Sequence, residues 1–279
     1  MPNIEIRGGN IVYEILGSVG DFVVISPGGR RGMESDRALG NLLVEAGYRV
    51  IIYDRRNMGA SDINFSGDNE ALEQARDLAA LIQALCGGPI FVCGCSSGSR
   101  LSLLLALHHP EAVKALLLWR ITGGPYPAVR LAFTYYEQYI QAAESGGIDA
   151  VCQTEHFAAL IRANPRNRDI LEAMGKDAFI AKMHGWLESF KLTRDYPVAG
   201  ISPDQMRSLT VPAILIPGND RVHPRSPALS AHRFMPNSQV REVLVDERDV
   251  DVDFEGWLAA NDRLAAAFID FLRQQQRAG

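Results

Sequence analysis

Apolar positions along the chain fall into two rhythms. Short unbroken runs such as Phe22-Val23-Val24-Ile25-Ser26, Arg49-Val50-Ile51-Ile52-Tyr53-Asp54 and Val113 to Trp119 have strand length and are bounded by turn-forming or polar residues. Apolar runs without polar alternation are what a parallel sheet buries on both faces. Other stretches repeat at helical spacing. Leu39, Leu42, Leu43 and Ala46 follow Ser35, which is placed to cap that helix, and Leu72, Ala75, Leu78, Ala79, Ile82 and Leu85 form one stripe within Glu70 to Leu85. Asn3 to Arg7 and Asn10 to Leu16, around Gly8-Gly9, predict an opening hairpin. Strands alternating with helices at this spacing imply an α/β protein with a doubly wound, mostly parallel sheet.

The rhythm changes at Ile121. From there to about Leu209 the pattern is helical with no clear strand, and it carries Tyr135, Tyr136, Tyr139, His156, Phe157, Phe179, His184, Trp186 and Phe190. The expected organisation is a core of residues 1–120 and 210–279 with a helical cap inserted over 121–209. Val211 to Gly218 resumes the sheet, Val240 to Val245 is expected as its last strand, and Phe254 to Gln275 as the closing helix.

One stretch joins both rhythms. Pro89 to Cys93 reads as a buried strand, and Leu101 to Leu107 belongs to an apolar helix. Between them, Gly94-Cys95-Ser96-Ser97-Gly98 matches G-x-S-x-G. A chain turning sharply from strand into helix needs small residues there, and the turn lifts a serine to the top of the sheet beside the positive end of the helix.

Composition narrows the setting. The 279 residues are 47% hydrophobic and 22% charged, with a formal net charge of −5, which gives no general affinity for nucleic acid or anionic membranes. No apolar run reaches spanning length, and the N-terminus lacks a charged-then-apolar signal pattern. Cys86, Cys93, Cys95 and Cys152 have neither zinc nor disulfide spacing and read as free thiols. The expectation is a cytoplasmic protein without metal or cofactor whose partner is a small molecule, with homodimerisation left open.

Four features in order resemble the α/β-hydrolase fold family: Pro27-Gly28-Gly29 after the third strand, Asp54 to Gly59-Ala60-Ser61, the turn at Ser96, and Gly218-Asn219-Asp220 to Pro224. The resemblance implies Ser96 as nucleophile, Asp220 as the acid of a catalytic triad, and the backbone N–H groups of Gly29 and Ser97 as an oxyanion hole. Two departures concern loops: Pro27 stands where the family usually has histidine, and Asn57 where a glycine is common.

A third departure concerns the base. The family's catalytic histidine follows the last strand, but here that loop is Asp246-Glu247-Arg248-Asp249-Val250-Asp251-Val252-Asp253, and no histidine lies beyond His232. A serine needs a neighbouring base to be nucleophilic near neutrality. His223, three residues after Asp220, is one candidate, against a packing role beneath the cap. Asp249 or Asp251 is another, as a general base or water holder, against a solvated acidic loop. His108, His109 and His232 read as helix-end residues, and His156 and His184 as cap residues. Arg30, Arg31, Arg56, Arg100 and Arg120 offer sites for a carboxylate-bearing substrate or structural ion pairs, and Cys95 reads as a small buried residue.

Two kinds of function follow. The first is a cofactor-independent serine-type hydrolase with an atypical base, cleaving an ester, thioester, lactone or carbon–carbon bond of a small carbonyl compound. The second is a non-hydrolytic enzyme of the same fold (lyase, decarboxylase or isomerase) or a small-molecule-binding protein, and the missing histidine speaks for it.

Overall fold

The computed structural model describes residues 1–278. It begins with the expected hairpin, β1 (Asn3–Ile6) and β2 (Gly9–Leu16), which turns on Arg7 and Gly8 with φ of 50° and 82°. Two positive φ angles give a tight turn whose twist matches that of the flanking strands. Then come β3 (Phe22–Ser26), β4 (Arg49–Tyr53), β5 (Ile90–Cys95), β6 (Val113–Trp119), β7 (Ala213–Ile216) and β8 (Ser238–Val240). The eight strands are ordered β1-β2-β4-β3-β5-β6-β7-β8, antiparallel at β1-β2-β4 and parallel throughout the rest.

The strand order reverses between β3 and β5. Loops leaving neighbouring strands there diverge and open a crevice at the carboxyl end of the sheet. The loop after β3 carries Gly28 and Gly29, and the one after β5 carries Ser96.

Two helical layers bury the sheet. One face packs against α2 (Glu70–Cys86), α3 (Ser97–His108), α9 (Pro203–Ser208) and α10 (Arg225–Phe234), through residues such as Leu78, Leu105 and Met206. The other packs against α1 (Arg37–Glu45) and α12 (Asn261–Ala278), with Leu43, Phe268 and Leu272 fully buried. The unbroken apolar runs are thus explained: Val23 and Val24, or Leu116 and Leu117, face opposite layers.

Between β6 and β7 lie α4 (Pro125–Ala132), α5 (Gln138–Gln153), α6 (Glu155–Ala163), α7 (Arg166–Met174), α8 (Lys176–Lys191) and α9. The first five share an apolar cluster that holds Tyr139, Phe157, Phe179 and Trp186. Phe65, from the loop after β4, packs against both Phe179 and Trp186 at 5.6 Å and anchors these helices to the core. A π-helical turn at Phe133–Glu137 buries Tyr135 and Tyr136.

Three local expectations are corrected. Ser35 does not cap α1: it lies in a short 3-10 turn, where its hydroxyl donates to Gly32 O at 2.9 Å, and α1 starts two residues later. The last strand is Ser238–Val240 rather than Val240 to Val245. Its partner β7 has only four residues, so after Arg241 N donates to Leu215 O the chain leaves the sheet, burying Val243 and exposing Val245. The closing helix is two: α11 (Phe254–Ala259) and α12, broken at Ala260. The break lets the Trp257 indole donate to Asn219 Oδ1 while Leu264, Phe268 and Phe271 face the sheet.

Candidate active site

Ser96 joins β5 to α3 with φ 53° and ψ −113°, a strained conformation for a residue with a side chain. The flanking glycines are what make it feasible. A Cβ on Gly94 would lie 2.4 Å from Gly98 O, and one on Gly98 would lie 2.0 Å from Ser26 O. Ser99 locks the turn, its hydroxyl 2.6 Å from Gly94 O and 3.1 Å from Trp119 O.

The loop after β7 is folded tightly enough that a Cβ on Gly218 would collide with His223 O. Asp220 Oδ1 consequently accepts both the backbone N–H of His223 and sits 2.8 Å from its Nδ1. On the opposite side of the ring, His223 Nε2 is 2.9 Å from Ser96 Oγ. Asp220, His223 and Ser96 thus form a continuous chain, buried to 4%, 4% and 6% exposure. A histidine only three residues beyond its aspartate reaches the serine because the Asp220-to-His223 turn returns the chain to the sheet end.

Asp220 Oδ2 accepts from Arg120 Nη2 at 2.9 Å and from the backbone N–H of Asp253 at 3.0 Å. Arg120 Nη2 also lies 3.2 Å from His223 Nδ1, but that nitrogen cannot both donate to the carboxylate and accept from a guanidinium. The shorter contact to an ionised acceptor decides the tautomer: Nδ1 carries the proton and Nε2 turns a lone pair toward Ser96. Burial, reinforced by the Arg120 charge, pushes His223 down to about 4 despite the opposing pull of Asp220. Burial works to raise Asp220, yet the His223 hydrogen bond and charge, the Asp253 N–H and Arg120 bring it to about 2. At neutrality the pair is therefore carboxylate and neutral imidazole.

The N–H groups of Gly29 and Ser97 meet no acceptor among the described residues. Both residues are fixed by Arg55, buried to 2% exposure, whose guanidinium is 2.7 Å from Gly29 O and 3.2 Å from Ser97 Oγ. A cavity of about 260 Å³ opens onto Gly29, Ser96 and His223, walled by Leu131, Tyr135 and Phe254.

Other candidates lie elsewhere. Asp249 pairs with Arg221 on the surface, and Asp251 binds Tyr126 and Arg130 at the cavity rim, so neither approaches Ser96 as a base. In the loop after the last strand it is Asp253 that approaches the site, by its backbone. His156 stacks among Tyr139 and Phe157, His184 and His108 are exposed, His109 faces Glu111, and His232 bonds Ser238. Arg30 pairs with Glu70, Arg56 with Asp77, and Arg100 stacks on Phe190, which accounts for three of the arginines structurally. Burial pushes the Cys95 thiol up to about 12, leaving it an inert wall residue. Sequence reasoning did not single out Arg55 or Asp253, and it took Arg120 only as one of several arginines. The available signal was position: Arg55 and Arg120 closely follow parallel strands, where sites of this fold class form.

The profile described as alpha/beta hydrolase fold matches residues 21–127. An uncharacterized hydrolase, YraK of Bacillus subtilis, is 30% identical over 115 residues, covering 41% of this chain and 42% of the relative. A putative carbamate hydrolase, RutD of Variovorax paradoxus, is 34% identical over 115 residues, covering 40% of this chain and 43% of the relative. The chain thus spans about two fifths of the length of these relatives. A thermophilic esterase from Thermogutta terrifontis superposes with a TM-score of 0.68 at 19% identity, over 99% of both chains. The chain therefore has the α/β-hydrolase fold.

Proposed function

We propose that the protein is a serine hydrolase that cleaves an ester, thioester or lactone of a small carbonyl compound, or a carbon–carbon bond beside the carbonyl, with His223 as its base. One observation carries this reading: the imidazole of His223 spans Ser96 Oγ at 2.9 Å and Asp220 Oδ1 at 2.8 Å. A binding protein has no need of a serine, imidazole and carboxylate in hydrogen-bonded series. The argument for a non-hydrolytic member of the fold rested on a missing base, and His223 offers one.

In this reading Ser96 Oγ attacks the carbonyl carbon while its proton passes to His223 Nε2. The carbonyl electron pair moves onto oxygen, which the N–H groups of Gly29 and Ser97 and the N-terminus of α3 stabilise. Collapse breaks the bond to the leaving group, which takes the proton from Nε2. Water then attacks the acyl-serine by the same route, returning Ser96 and the free acid. Asp220 keeps the ring in the tautomer that presents its lone pair to serine.

Steady-state hydrolysis of p-nitrophenyl butyrate tests this. Ser96→Ala and His223→Ala are each expected to lower kcat by at least ~10³-fold, and the double variant by no more, as for groups that act as a unit. A His223→Ala enzyme that keeps wild-type turnover would overturn the assignment of the base.

A further inference from the structure

Asp36 lines the same cavity as Ser96 and His223, yet the acyl transfer described above does not use it. It is 8% exposed at the start of α1, and its side chain does not cap that helix. Its Oδ2 is buried and unpartnered among the described residues. Buried side-chain oxygens in folded proteins are nearly always hydrogen-bonded, because desolvation without a partner is costly. Asp54 shows the ordinary structural solution here, its two oxygens accepting the N–H groups of Met33 and Ala60 at 2.7 and 2.8 Å. Asp36 lacks any such arrangement and stands at the wall of the catalytic cavity.

The surroundings select the partner. The charges that act on Asp36 are the guanidinium groups of Arg31 and Arg55, and Arg31 and Cys95 line the cavity with it. Arg120 and Arg130 line the cavity as well. That much positive charge disfavours a cationic group on the substrate. Burial pushes the Asp36 carboxyl up to about 7, against the pull of the two arginines, so both of its forms are present near neutrality. An ionised Asp36 repels a substrate carboxylate. A hydroxyl donates to the carboxylate and accepts from the acid, so it is matched in either form.

We propose that the substrate cleaved at Ser96 carries a hydroxyl group, and that Asp36 is the residue that binds it. The proposal rests on the hydrolase reading, which makes this cavity the substrate site.

The test is kcat/KM for p-nitrophenyl esters of butyrate, 2-hydroxybutyrate and 3-hydroxybutyrate, together with the succinate half-ester. Wild type is expected to prefer a hydroxylated ester over butyrate by about 10-fold, the worth of one hydrogen bond to a charged group. In Asp36→Leu that ratio is expected to fall to near unity. Asp36→Ala gives the same comparison should leucine overfill the site. Asp36→Asn, which still donates and accepts but is uncharged, keeps part of the preference. An equal ratio in wild type and both apolar variants overturns the proposal, as does a preference for the succinate half-ester. Folded wild type that cleaves none of the esters overturns the hydrolase reading and this one together, whereas cleavage without hydroxyl preference overturns this one alone.

Discussion

Arg120 donates from Nη2 to Oδ2 of Asp220 at 2.9 Å, and does so from a backbone with φ of 56°. A buried cation thus shares the carboxylate that orients His223. It holds Asp220 ionised and His223 neutral, and it would also oppose the imidazolium that the proposed acyl transfer forms.

The pH profile of kcat/KM follows from this pair. As the proposed base, His223 would act only when neutral, so activity is expected to fall as pH drops through about 4, rather than near the 6.5 of a free imidazole. Arg120→Met removes the positive neighbour, and the acid limb should move upward. The variant should also lose about 3 kcal/mol of stability or more, since it leaves a buried carboxylate short of a partner. Arg120→Met with its acid limb still at about 4 would contradict this account of the imidazole.

Stability should carry an opposite signature from Asp36. Its folded-state pKa, about 7, lies above the 3.8 of a free carboxyl, so the folded state binds more protons between these values. Its contribution to stability is present below 3.8 and is lost as pH rises through 7. Asp36→Asn abolishes that decline, so the variant should gain over wild type from pH 5 to pH 8, by on the order of 1 kcal/mol or more. Thermal melts of both proteins across that range check it; parallel curves would show that Asp36 does not titrate in this way.

The serine turn allows no side chain at its last glycine. Gly98→Ala would place a methyl 2.0 Å from the backbone oxygen of Ser26. The expected result is a loss of about 3 kcal/mol or more, with Ser96 displaced and the proposed ester turnover lost even in molecules that remain folded. Denaturant titration alongside an activity assay separates the two effects. Wild-type stability in Gly98→Ala would mean that the β3 and β5 loops are not packed this closely.

Asp249 provides a negative control for the acidic loop. Its carboxylate binds Arg221 at the surface, 2.6 Å from Nε, and Asp249→Asn should alter ester turnover by no more than about 2-fold. A large loss would return the acidic loop to consideration as a source of the base.

What the sequence made legible depended on the range of the interaction. The β3 and β6 strands and the Ser96 turn follow from local patterns, because uniform apolar runs and close-packed glycines leave few alternatives. The shortness of β8 was hidden, since it is set by the length of β7 rather than by Val240 to Val245 themselves. Asp220 and His223 were visible as a spacing, but only the turn enforced at Gly218 brings the ring onto Ser96. Arg55, Arg120 and Asp253 act through loops that leave different strands, and no periodicity reports such convergence. Asp36 was hidden behind Ser35, whose expected cap does not form.

The central claim is that Ser96 is activated by His223. Stoichiometric labelling with a small fluorophosphonate, followed by intact mass, tests it most directly because the probe needs an activated serine. The account predicts one adduct per wild-type chain, none in Ser96→Ala, and labelling slowed by at least ~10³-fold in His223→Ala, the scale expected when a triad base is removed. Wild-type labelling rates in a folded His223→Ala variant, or a folded wild type that takes up no probe, would contradict it.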